Sequence, residues 1–260
     1  MSALHDALGI LAPAMIAGLL VMISHVPLGL QVLTRGIVFI DLAVAQVAGL
    51  GVIVAHTLGL AGEGWGTQVA AVVAALLGSL LLTWTERRRP EVQEALIGVL
   101  FVLASTAQIL LLANDPHGGE DLKDLLAGQI LWVSAPQLWR AAALTALFAL
   151  LWWRWRTQVG RAGFYVLFAL MVTVSVQLVG VYLVFSSLIV PALAVYRYAA
   201  HRRLWLGFGL SVVSYAAGLV LSALFDLPAS PMIVWAMALV GSVIHLLAPS
   251  RRADADSGVV

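Results

Sequence analysis

The stretch that decides the fold is residues 164–198, which read FYVLFALMVTVSVQLVGVYLVFSSLIVPALAVYRY. The only charged residue in this stretch is Arg197, and Arg161 stands just before it. An apolar run of this length belongs in lipid, and Arg residues beside membrane spans concentrate on the cytoplasmic side. If Arg161 and Arg197 both lie inside, the segment must cross twice with short helices or enter the membrane and return. Pro191 interrupts its second half, which is typical of broken helices at membrane depth.

The composition of the whole chain is that of a membrane protein. Hydrophobic residues make up 62% of its 260 residues and charged residues 10%, whereas soluble globular chains average about 45–50% and about 25%. Mean hydropathy is +1.01. The net charge of +1 provides no basic excess for nucleic-acid binding, and the absence of Cys excludes disulfides and thiolate metal ligands. Soluble enzymes, nucleic-acid binders and disulfide scaffolds are therefore disfavoured.

Apolar runs long enough to cross a bilayer recur along the chain, since a spanning helix needs about 20 mostly apolar residues. Arginines such as Arg35 and Arg154 alternate along the chain with acidic residues such as Glu63 and Asp226, which predicts an external N-terminus. We predict an all-α integral membrane protein with about eight transmembrane helices and one broken or re-entrant segment near 164–198. The predicted spans are 10–33, 37–58, 67–84, 95–113, 137–153, 164–183, 204–225 and 230–248.

A single transmembrane domain is predicted for residues 1–250, because no soluble domain, repeat or low-complexity stretch separates the apolar runs. Residues 121–133 (DLKDLLAGQILWV) are too short and too charged at their start to span the membrane. They are predicted to form a short external amphipathic helix, and Pro136 is expected to open the next span. The polar tail 251–260 (RRADADSGVV) is predicted to be a disordered cytoplasmic segment.

Four separated stretches carry a pattern whose order and spacing are more specific than any one of them. They are 29–51 (GLQVLTRGIVFIDLAVAQVAGLG), 94–112 (EALIGVLFVLASTAQILLL), 120–138 (EDLKDLLAGQILWVSAPQL) and 179–194 (VGVYLVFSSLIVPALA). Together they resemble the permease subunit of the metal-uptake ABC transporters, the family that imports zinc, manganese or iron(II) with a periplasmic binding protein. The resemblance covers most of the chain.

The resemblance implies a multi-pass permease of the bacterial inner membrane that moves divalent metal cations, zinc or manganese first among them, by alternating access. It implies four partners: a second permease copy, a cytoplasmic ATPase subunit, an extracytoplasmic metal-binding protein and the lipid bilayer. No nucleic acid is expected. The chain is expected not to be an enzyme, because it carries no Walker-A, H-E-x-x-H or G-x-S-x-G pattern. No permanently bound cofactor is expected, only the transported metal.

The chain departs from the family's pattern at the residues expected to bind metal. In the gapless match Asp41 takes the place of the family's Gly, Leu42 that of its Asp, and Gln46 that of its His. Gln is a poor ligand for Zn²⁺, whereas hard cations accept an amide oxygen more readily. The resemblance still places Asp41 and Gln46 on the metal path, and His25 in the first span is a further candidate ligand.

Each candidate also has a structural interpretation. An intramembrane carboxylate such as Asp41 costs about 2.5–3.5 kcal/mol to insert, so it should face a partner or a water-filled path. Interhelical hydrogen bonding is the default for amides in spans, here Gln31, Gln108 and Gln177, and for Gln46 the two interpretations stay open. For His25 a hydrogen bond to a neighbouring helix is the simpler expectation.

A second departure concerns coupling to the ATPase. Between Arg154 and Gln177 the family carries a cytoplasmic helix that docks into the ATPase, whereas this chain offers only RWRTQVGRAGFYVLF before its next span. The alternative function is therefore an ATPase-uncoupled structural or regulatory membrane subunit related to the same family.

Overall fold

A computed structural model describes residues 2–59, 65–113, 115, 118–155 and 160–248. These residues form α-helices, two short 3₁₀ helices and connecting turns, without a strand. The α-helices are α1 (Ser2–Arg35), α2 (Ile40–Thr57), α3 (Trp65–Arg88), α4 (Gln93–Leu112), α5 (Gly118–Ala127), α6 (Ala135–Trp155), α7 (Arg161–Val179), α8 (Val181–Val195), α9 (Ala200–Phe225) and α10 (Ala229–Leu246). The all-α prediction is confirmed. The predicted tail 251–260 lies outside the described residues.

Seven helical segments within the described residues are long and apolar enough to cross a membrane. They correspond to α1, α2, α3, α4 with the 3₁₀ turn before it, α7, α9 and α10. Helix α6 occupies the place of the fifth predicted span and has 21 residues, but it is not among the seven. The multi-pass architecture is therefore confirmed, whereas the count of eight is not.

The predicted break near 164–198 falls at Gly180, where α7 ends and α8 begins. Gly180 has φ +82° and ψ 164°, a backbone conformation essentially restricted to glycine. Its amide donates to the carbonyl of Val176 at 2.8 Å, and its carbonyl accepts from the amide of Val184 at 3.1 Å. Both helices are therefore hydrogen-bonded up to the break. At 1.5 Å per residue, α7 is about 28 Å long and α8 about 22 Å.

The tip of this α7–α8 hairpin packs against the short helix α5. A Cβ placed on Gly180 would lie 2.6 Å from the carbonyl carbon of Ala127 and from the Cα of Gly128. Gly128, which follows α5, also has a positive φ of +71°. At the same end of the molecule, the hydroxyl of Ser230 in the first turn of α10 donates to the carbonyl of Val179 at 3.3 Å. The turn at Gly180 and the end of α5 at Gly128 are thus held together by backbone contact.

The core lies between α1, α2, α7 and α8, whereas α3 and α4 present apolar side chains outward. In the described part of the chain, Tyr165, Phe168 and Leu188 are fully buried, whereas Leu103 on α4 is 62% exposed and Leu80 on α3 is 66% exposed. Large apolar side chains that remain exposed on two long apolar helices fit lipid as the surrounding solvent. Small residues allow close approach: a Cβ on Gly51 would lie 2.6 Å from the carbonyl oxygen of Ala70 on α3.

Candidate cation path

Asp41 lies in the first turn of α2, where the helix N-terminus favours a negative charge. Its side chain is 1% exposed, and neither carboxylate oxygen has a hydrogen-bond partner among the described residues. Two residues earlier, the amide of Phe39 donates to Glu94 Oε1 of α4 at 3.2 Å. Glu94 Oε2 is also buried without a hydrogen-bond partner in the described part of the chain. The start of α2 therefore combines buried acidic oxygens with few donors to balance them.

Gln46 lies farther along the same helix and is 2% exposed. The amide nitrogen of Gln108, on α4, donates to Gln46 Oε1 at 2.7 Å and to the main-chain carbonyl of Gln46 at 2.8 Å. The interhelical hydrogen bond predicted for Gln108 is therefore confirmed, and its acceptor is Gln46, for which two interpretations were open. Gln108 is fully buried, and its own Oε1 has no partner within the described residues.

His25 is fully buried in α1. Its Nδ1 lies 2.9 Å from the hydroxyl of Ser24 and 3.0 Å from the carbonyl of Val21. These contacts are within α1, so the expected bond to a neighbouring helix is replaced by a local one. Nε2 has no partner among the described residues. A ring whose Nδ1 donates to a carbonyl keeps the Nε2 lone pair free for a ligand.

The three predicted residues lie on two helices, Asp41 and Gln46 on α2 and His25 on α1. In the described part of the chain no group of three or more His, Cys, Asp and Glu side chains could hold a metal ion together. Asp41 and Gln46 are separated by five positions, about 140° around an ideal helix, and His25 belongs to a different helix. The arrangement is a series of buried polar positions along α1, α2 and α4.

A cavity of about 500 Å³, on the side predicted to be external, lies between the ends of α3, α5, α6 and α7; it is called the external cavity below. Its lining includes Asp124, whose Oδ2 accepts a hydrogen bond from the side-chain nitrogen Nε2 of Gln129 at 2.6 Å. Leu125, from α5, also lines this cavity. A Cβ on Gly49 would lie 2.6 Å from Cδ2 of Leu125 and 3.3 Å from Gln108 Oε1. Leu125 therefore stands between the external cavity and the Gln46–Gln108 pair.

At the opposite end of the bundle, side-chain contacts join the start of α7 to α1, α3 and α4. Nε of Arg161 lies 3.8 Å from Glu86 Oε1, and the guanidinium of Arg35 lies 4.1 Å from the ring centroid of Phe164. Helix α6 ends at Trp155 and α7 begins at Arg161. Residues 156–159, on which the expected short connection falls, lie outside the described residues, so the short connection stays a prediction.

Glu94 was not among the predicted site residues, although it opens the second motif stretch, and Gln108 was expected only to form an interhelical hydrogen bond. The position of Glu94 at the start of a predicted span could have indicated a role. A carboxylate there can accept a hydrogen bond from the turn that precedes a neighbouring helix, as Glu94 does from the amide of Phe39. The pairing of Gln108 with Gln46 had no local signal, because 62 positions separate them.

A bundle with seven helical segments long and apolar enough to cross a membrane, enclosing buried amide, carboxyl and imidazole groups, is the architecture of a multi-pass membrane protein. Comparison with known families places it more narrowly. The ABC 3 transport family matches residues 7–159 and 155–248, and the chain belongs to this family. It is accordingly a non-catalytic inner-membrane subunit, and ATP is hydrolysed by a separate chain.

Relatives match over nearly their whole length. The manganese transport system membrane protein MntC of Halalkalibacterium halodurans is 25% identical, over 92% of this chain and 86% of the relative. The high-affinity zinc uptake system membrane protein ZnuB of Haemophilus influenzae is 23% identical, over 86% of this chain and 92% of the relative. The structure of PsaBC from Streptococcus pneumoniae in complex with Fab has a similar fold, with a TM-score of 0.78, 23% identity, and coverage of 96% of this chain and 97% of that one.

Proposed function

We propose that this chain is the permease subunit of an ABC-type importer that moves a divalent metal cation, zinc or manganese, across the bacterial inner membrane by alternating access. The observation that carries the proposal is the match of the ABC 3 transport family to both halves of the chain. It is supported by two relatives of nearly equal length whose names specify manganese and zinc transport.

Asp41 is proposed as the carboxylate that the travelling cation compensates. A buried carboxylate with no hydrogen-bond donor is costly in low-dielectric surroundings, and the two oxygens of Asp41 have none among the described residues. A passing cation balances that charge transiently, and a weak site lets the ion leave again. Gln46 and His25 are proposed to line the same path, because both are buried and His25 Nε2 has no partner among the described residues.

The proposed assembly contains two permease copies, a cytoplasmic ATPase and an extracytoplasmic metal-binding protein. Binding of ATP would close the ATPase subunits and rock the two permeases relative to each other. The metal is the transported substrate, and the permease needs no resident cofactor for this cycle.

A second candidate function is an ATPase-uncoupled structural or regulatory subunit. The feature in its favour is the sequence RWRTQVGRAGFYVLF, which stands where the family carries a helix that docks into the ATPase. Co-purification separates the two candidates: a transporter should bring down an ATPase and a binding protein, whereas an uncoupled subunit should not bring down the ATPase.

The decisive variant for the proposed path is Asp41→Asn. It keeps the side-chain volume but removes the charge, so we expect uptake of zinc and manganese to fall strongly while membrane insertion and assembly persist. Asp226→Asn is the matched control, because Asp226 is exposed in the turn after α9 with φ 52°, a conformation that Asn also tolerates. Uptake of zinc, manganese and iron(II) is measured at matched expression. Normal uptake by Asp41→Asn would make Asp41 a structural residue.

A further inference from the structure

The Gln46–Gln108 pair leaves one polar atom unexplained. Gln108 uses its amide nitrogen for both bonds to Gln46, whereas its Oε1 is buried and has no partner among the described residues. Rotating the amide by 180° would not help, because it would set the Gln108 oxygen against two acceptor oxygens of Gln46. Buried side-chain oxygens are usually hydrogen-bonded, so an unpaired one in a fully buried residue calls for an explanation.

The free oxygen of Gln108 lies close to a second amide oxygen. Gln46 Oε1 is 2.7 Å from the Gln108 nitrogen, and the nitrogen and oxygen of one amide are about 2.3 Å apart. The two oxygens are therefore at most about 5 Å from each other. One cation with metal–oxygen distances of about 2.4 Å can contact two oxygens less than about 4.8 Å apart, provided that the Gln108 nitrogen lies to one side of the line between them. Gln46 Oε1 can still take part, because a carbonyl oxygen has two lone pairs and only one is used here.

The surroundings give a cation a way to reach this pair. Gly49, one turn beyond Gln46, has no side chain to cover the oxygen of Gln108, and the neighbour that fills this space is Leu125. Leu125 comes from the short helix α5 and also lines the external cavity that contains Asp124. A movement of one leucine side chain would therefore connect the cavity with the two oxygens.

We propose that Gln46 and Gln108 together form an amide-oxygen site that selects a hard divalent cation such as Mn²⁺ over Zn²⁺. This inference rests on the proposed function, whose substrate it narrows. Carbonyl oxygens suit manganese, magnesium and calcium, whereas zinc prefers imidazole, thiolate and carboxylate. Gln108 has two roles in this site: its nitrogen orients Gln46, and its oxygen contacts the ion.

The test compares two substitutions at position 108 that separate ligation from helix packing. Gln108→Leu removes both the donor and the oxygen. Gln108→Glu removes the donor but keeps an oxygen at the position proposed to contact the metal ion. Mn²⁺ and Zn²⁺ binding to the purified protein, with the subunits that accompany it, is measured by calorimetry, and folding is monitored by size-exclusion chromatography and thermal melting. Gln31→Leu is the control, since it removes an amide from the first span, away from the pair.

We expect Gln108→Leu to weaken Mn²⁺ binding about tenfold or more, Gln108→Glu to retain or strengthen it, and Gln31→Leu to leave it unchanged. Gln46→His should shift the preference toward Zn²⁺. If Gln108→Leu and Gln108→Glu weaken binding equally, or if neither does, Gln108 only joins two helices and the inference is wrong. Stronger binding of Zn²⁺ than of Mn²⁺ by the wild type would also overturn it, while leaving metal import intact. If the wild type binds neither metal, the proposed function itself fails.

Discussion

Substitution of Gly180 by alanine tests whether the backbone contact between Gly180, at the tip of the α7–α8 hairpin, and Gly128, after α5, stabilises the protein. At φ +82° and ψ 164°, any residue with a Cβ is strained by about 1–3 kcal/mol. The added methyl would also lie 2.6 Å from the carbonyl carbon of Ala127 and the Cα of Gly128. Backbone atoms cannot rotate away, so overpacking adds about 1–3 kcal/mol. The expected loss is about 2–6 kcal/mol, and we expect the Tm to fall by at least about 4 °C.

The assay is the thermal unfolding of the purified permease in detergent, with Gly209→Ala as the matched control. Gly209 lies within α9, and a Cβ there would have no neighbour within 4 Å, so alanine should stabilise the helix by about 0.5–1 kcal/mol. Gly128→Ala should behave like Gly180→Ala, because it enters the same contact from the other side. The double variant should lose less unfolding free energy than the two single variants lose in total, since both substitutions disrupt the same contact. An unchanged Tm in Gly180→Ala would refute the backbone contact on which this reasoning depends.

Two further predictions concern topology and coupling. The arginine pattern predicts that single Cys residues replacing Arg88, Arg161 and Arg197 are protected from an impermeant external thiol reagent, whereas Cys in place of Glu120 reacts; the reverse labelling would invert the orientation. Arg161→Glu puts a carboxylate where Nε now lies 3.8 Å from Glu86 Oε1, so we expect weaker ATPase association and uptake, with recovery in the double variant Glu86→Arg/Arg161→Glu. Wild-type uptake with Arg161→Glu would mean that the contact between Arg161 and Glu86 has no part in coupling to the ATPase.

Two observations show how far local pattern alone could predict the fold. The break between Arg161 and Arg197 followed from charge placement, because two cytoplasmic arginines with one apolar stretch between them require an even number of crossings. The position of that break did not follow, since the predicted span 164–183 runs past it. Its location at Gly180 depends on the close approach of Gly128, which belongs to a different part of the chain.

The external helix shows the same limit. The pattern predicted one amphipathic helix over 121–133, whereas the structure has α5 ending at Ala127 and a separate 3₁₀ turn at Ile130–Trp132. Gly128 divides them with a positive φ. Its amide still donates to the carbonyl of Asp124 at 2.8 Å, which closes the last turn of α5. A single glycine in an amphipathic run does not by itself indicate whether a helix continues, because its conformation is decided by what packs against it.

By itself, the sequence determined that this protein lies in a membrane, that it is helical, and that carboxyl, amide and imidazole groups lie within its spans. These properties depend on the polarity and order of residues along one chain, which the sequence contains directly. Only the tertiary structure decided that Gln46 is bonded to Gln108 and that Leu125 stands between this pair and the external cavity. Such contacts depend on how each helix is rotated and how far it slides against its neighbours, and they join residues 62 positions apart. A periodic apolar pattern constrains that rotation weakly when both lipid and protein interior are apolar.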